Sequence, residues 1–106
     1  MTTFDKREEA FEKKFALDEE QKFKAQSRRN KLLGLWTAEK LGITGDAASA
    51  YAKDVIAAEF DGGDEGVVRK VLGDLSAKGQ ATGEAEVHAK MTELMLTAVA
   101  QVKAGT

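Results

Sequence analysis

The chain is 106 residues long with a formal net charge of −2, no proline and no cysteine. That length supports one domain and one modest core, and the missing cysteines exclude a disulfide framework, a thiol nucleophile and a cysteine metal site. The charge is uneven: residues 1–31 hold nine Lys/Arg and seven Asp/Glu, the rest seven and eleven, a basic bias too weak for a dedicated nucleic-acid binder.

Helical periodicity runs through almost the whole chain, and glycines divide it into four pieces. The first extends from about Phe4 to Leu41, with Gly42 placed to end it in a left-handed conformation. Within it, Leu32, Leu33, Leu35 and Trp36 are apolar nearly all round the helix. They predict deep burial, with Gly34 allowing a neighbour to approach closely. Thr44 or Asp46 can cap the second piece, whose face is Ala48, Tyr51, Ala52, Val55 and Ile56. Phe60 and Asp61-Gly62-Gly63-Asp64 end it. The third carries Val67, Val68, Val71, Leu72 and Leu75. The fourth, after a break at Gly79–Gly83 with Thr82 as a cap, carries Val87, Met91, Leu94, Met95, Ala98, Val99 and Val102. Short links make sequence neighbours antiparallel. The expected fold is therefore all-α, a four-helix bundle. No stretch is long and apolar enough to cross a bilayer, and the amino terminus lacks a signal-peptide apolar region, so the expected location is cytoplasmic.

The first piece divides internally. On a helical projection Phe4, Phe11 and Phe15 fall within roughly 40° of one another, whereas Phe23 lies off that arc. From Asp18 to Lys31 the only apolar residues are Phe23 and Ala25. One reading folds the phenylalanine face back on the bundle as a further packing layer. The other makes it a separate segment whose phenylalanines enter a partner's groove. The polar stretch favours the second, giving an amino-terminal segment 1–18 and a bundle domain 19–106.

No catalytic constellation is present, and no enzyme is expected. His88 stands alone. Asp61, Asp64 and Glu65 lack the spacing of a calcium loop, and Ser27, Ser49 and Ser76 have no activating neighbours in sequence. Lys22, Lys24, Arg28, Arg29 and Lys31 form a basic run without an acid. It reads as a solvated face or docking rim, with an anion site as the alternative.

Four segments carry a family resemblance: FDKREEAFEKKFA (4–16), RRNKLLGLW (28–36) followed by AEKLG (38–42), AYAK (50–53) and VRKV (68–71). Together they resemble the zeta subunit of the alphaproteobacterial F-type ATP synthase, an ATPase inhibitor. The resemblance implies a four-helix bundle with a mobile or weakly helical amino-terminal inhibitory segment. That segment would insert at a catalytic interface of the head, between alpha and beta subunits, and reach toward the gamma shaft. Phe4, Phe11 and Phe15 then serve as anchors, with Arg7, Glu8, Glu12, Lys13 and Lys14 as the polar rim. ADP or ATP is implied as a regulatory ligand, with no cofactor required. Charge and stacking surface nominate Arg28, Arg29 and Trp36 for it. The expected protein is a monomer when free, associated with the membrane-bound synthase and with no direct membrane insertion or nucleic-acid partner. The alternative is a generic helical adaptor docking through the same segment.

Overall fold

A computed structural model describes residues 17–105. They form four α-helices: α1 (Glu19–Leu41), α2 (Gly45–Ala58), α3 (Gly63–Ala77) and α4 (Glu84–Lys103). α1 is the spine of the bundle. It packs against all three others, and α2 and α4 do not pack on each other.

Local chemistry sets the boundaries of α1. Asp18 is an extended N-cap whose Oδ1 accepts from the Gln21 amide at 2.7 Å, and Gln21 Oε1 accepts from the Asp18 amide at 3.2 Å. This reciprocal box satisfies two amide donors that would otherwise lack partners in the first turn. Gly42, left-handed at φ 75°, closes the other end. Thr44 is the N-cap of α2, without a side-chain cap bond. Gly83 rather than Thr82 caps α4.

The core is Leu33 from α1, Val55 from α2, Val67, Val68, Val71 and Leu75 from α3, and Val87 and Met91 from α4. The predicted stripes of α2, α3 and α4 all face it, each with buried members flanked by half-buried ones. At the crossing of α1 and α2, Gly34 lies against Ala52 so closely that a Cβ there would stand 2.6 Å from Ala52 Cα. α1 differs from expectation in one respect. Leu33, Gly34, Thr37 and Ala38 are buried, but Leu32 and Trp36 are only half-buried and Leu35 is exposed. Lys31, Leu35 and Glu39 follow one another at four-residue steps along an outer stripe that the three neighbours leave uncovered.

The polar stretch of α1 is not a break in packing. Ala25, Arg29 and Asn30 are buried within it, so the inward stripe continues through the stretch with polar groups in place of aliphatic ones.

Candidate functional site

The basic run on α1 separates by helical phase into members with different tasks. Lys22 and Lys24 reach back to Glu19 and Glu20 at 3.7 and 3.3 Å. These exposed pairs contribute little to stability. Arg28 Nη1 donates to Gln101 Oε1 on α4 at 2.9 Å. Lys31 is exposed on the outer stripe.

Arg29 points inward and is only 5% exposed. Its Nη2 lies 2.7 Å from Asp64 Oδ1 at the start of α3 and 3.6 Å from Glu59 at the end of α2. Its Nε donates to Asn30 Oδ1 at 3.0 Å. Gln26 donates to Glu59 from one turn earlier on α1. One guanidinium thus ties three helices together. Asp64 is held below the ordinary carboxylate value, chiefly by the hydrogen bond from Arg29. Glu59 is pushed up, first by burial and then by the hydrogen bond and negative charge of Asp64, with Arg29 opposing. Asn30 Nδ2 and Glu59 Oε2 are both buried beside this cluster.

Trp36 lies two turns further along α1 than Arg28, about 12 Å in axial rise. Lys40 Nζ and Lys90 Nζ lie 4.9 and 5.7 Å from the centre of its ring. Arg28, Arg29 and Trp36 therefore do not converge. Arg29 is committed to an internal ion pair rather than to a solvated face, because the phase that buries Ala25 and Leu33 also buries the residue between them. Phe4, Arg7, Glu8, Phe11, Glu12, Lys13, Lys14 and Phe15 lie outside the described residues.

Phe23 is 56% exposed and stands between two clefts. One, about 410 Å³, brings Ile56 and Val102 beside Lys24, Ser27, Arg28 and Lys31. The other, about 420 Å³, joins Leu17 and Ala25 to Met95 and Val99 of α4. A third cleft, between α2 and α3, has mixed charge from Asp54, Asp61, Arg69 and Lys70. Among the described residues no group of His, Cys, Asp and Glu side chains could hold a metal, and none of their helices is long and apolar enough to cross a membrane. His88 is exposed beside Glu84. Tyr51 donates to Asp74 Oδ2 at 2.6 Å, and burial together with that carboxylate raises its pKa, so its phenol stays protonated.

Sequence reasoning missed the partners of Arg29. The available signal was the four-residue step Ala25, Arg29, Leu33, Thr37 along one helix face.

The family model for ATPase inhibitor subunit zeta matches residues 1–101. The chain belongs to that family. Zeta is an ATPase inhibitor subunit, so the role is regulatory, and the phenylalanine-bearing residues fall within the match. A chain solved by solution NMR shares the fold at a TM-score of 0.69 and 53% identity, covering 79% of this chain and 96% of its own length. No curated protein matches.

Proposed function

We infer that this zeta-family chain inhibits ATP hydrolysis by the F-type ATP synthase through residues 1–18, while residues 19–106 form the bundle that carries them. Phe4, Phe11 and Phe15 enter a catalytic interface of the head, between alpha and beta subunits near the gamma shaft, and obstruct rotation in the hydrolytic direction. Arg7, Glu8, Glu12, Lys13 and Lys14 border the anchors and set register more than affinity. The observation that carries this reading is the family match, which begins at residue 1 and so includes the phenylalanine row. The energetics are adequate: burying three phenylalanines contributes roughly 1.5–3 kcal/mol each, against the ordering cost of the segment.

The test is inhibition of purified synthase head by the full chain and by residues 19–106. The truncated chain should keep its helical circular dichroism and lose inhibition. Full inhibition by the truncated chain would overturn the reading, and a protein that no longer folds would show that the phenylalanine face belongs to the core.

Nucleotide regulation is a second reading, supported by the basic cleft. Lys24, Ser27, Arg28 and Lys31 border it, with no Asp or Glu side chain among its described lining residues, which suits a nucleoside di- or triphosphate. Calorimetric titration of ADP into parent and Arg28→Glu protein should show heat only with the parent. The same heat from both would place nucleotide elsewhere.

A further inference from the structure

Phe23 lies five residues beyond the cap at Asp18 and contributes nothing to the core. A single exposed apolar side chain needs no explanation, but this one separates two clefts with aliphatic walls. Leu17, the first described residue, already lines one of them. A protein that holds residues 4–15 is therefore brought against this end of the bundle.

The charge around Phe23 differs between its two clefts: Glu19 and Lys22 line one as a pair, and basic side chains border the other. Residues 32–106 hold seven Lys/Arg against eleven Asp/Glu. Lys24, Arg28 and Lys31 run along one edge of the cleft, at steps of four and three residues, with Lys24 beside Glu20 at 3.3 Å and Arg28 bonded to Gln101. The basic side chains and the exposed ring line the same cleft. That combination suits an acidic partner surface with an apolar recess, where charge steers approach and the ring supplies a buried anchor.

We propose that Phe23, with the Lys24–Arg28–Lys31 edge, is a second docking surface of the bundle for the same ATPase head, seated on an acidic patch of that partner with an apolar recess for the ring. This rests on the reading of residues 1–18 as the inhibitory segment. It goes beyond that reading by placing a contact on the folded domain, off the arc of Phe4, Phe11 and Phe15.

The experiment uses full-length protein with Phe23→Ala, Phe23→Leu and the double variant Lys24→Glu/Lys31→Glu, against purified head at several salt concentrations. Phe23→Ala should weaken inhibition about tenfold or more, as loss of a central anchor does, with an unchanged melting temperature. Phe23→Leu should recover much of that loss. The charge-reversed variant should associate more slowly and show a flatter salt dependence. Parental inhibition by Phe23→Ala, while removal of residues 1–18 abolishes it, would overturn this proposal and leave the inhibitory segment standing. Inhibition by the truncated chain would overturn the segment reading instead. Two further results would also overturn the docking surface: loss of self-association in Phe23→Ala with unchanged inhibition, which would make the patch a contact between copies, and loss of ADP binding in the charge-reversed variant with parental inhibition kinetics, which would assign the edge to nucleotide.

Discussion

Arg29 meets two carboxylates that respond to pH in opposite directions. Asp64 is depressed from its ordinary 3.8, so its contribution is present above that value and is lost as pH falls through the folded value. Glu59 is raised from its ordinary 4.5, so the native state holds a proton that the unfolded chain releases. Stability then declines as pH rises from 4.5 through the folded value of Glu59. The cluster should therefore favour the mildly acidic range, with a loss on either side. Glu59→Gln removes the loss on the alkaline side only. Its denaturant midpoint should fall less than the parent's between mildly acidic and neutral pH, while both proteins share the acid-side decline. Equal slopes toward neutral pH would show that Glu59 does not carry the effect. Because Asp64 is half exposed, its pair with Arg29 is worth less than a fully buried one. The clearer function of Arg29 is to hold α1, the end of α2 and the start of α3 in one relative position.

Among the elements, α1 shows most directly what helical phase does and does not reveal. Its inner face is built from small residues where α2 crosses it, and close approach takes the place of bulk. Gly34→Ala should gain about 1 kcal/mol in helix propensity and lose about 1–3 kcal/mol to overpacking against Ala52, for a net fall in melting temperature of several degrees. Gly73 in α3 has nothing within 4 Å of where its Cβ would stand, so Gly73→Ala should raise the melting temperature instead. A rise in both variants would mean that the crossing is looser than described. Gly34 as a point of close approach was legible from its place amid Leu32, Leu33, Leu35 and Trp36. The exposure of Leu35 was not, because apolar periodicity counts side chains without counting the neighbours available to cover them. The burial of Arg29 was hidden for the converse reason: hydropathy scores a guanidinium as solvent-facing whatever its phase, and its carboxylate partners lie about 30 residues downstream on other helices.

For the whole molecule, α1 packs on all three other helices, and the faces of α2, α3 and α4 were readable because each buries one stripe in the shared core. The two ends of the spine differ in ways that composition does not disclose. Phe23 and its basic edge lie near the beginning of α1, whereas Trp36 lies thirteen residues later, about 20 Å along the axis. There the indole is flanked by Lys40 of α1 and Lys90 of α4 and packs against the core. The chain has one tryptophan, so this position decides what its native optical signal can report. Indole emission follows whether α1 and α4 remain together near the far end of the spine. It is a built-in gauge of intactness, insensitive to contacts made around Phe23, and a dye meant to register capture by a partner belongs at the opposite end.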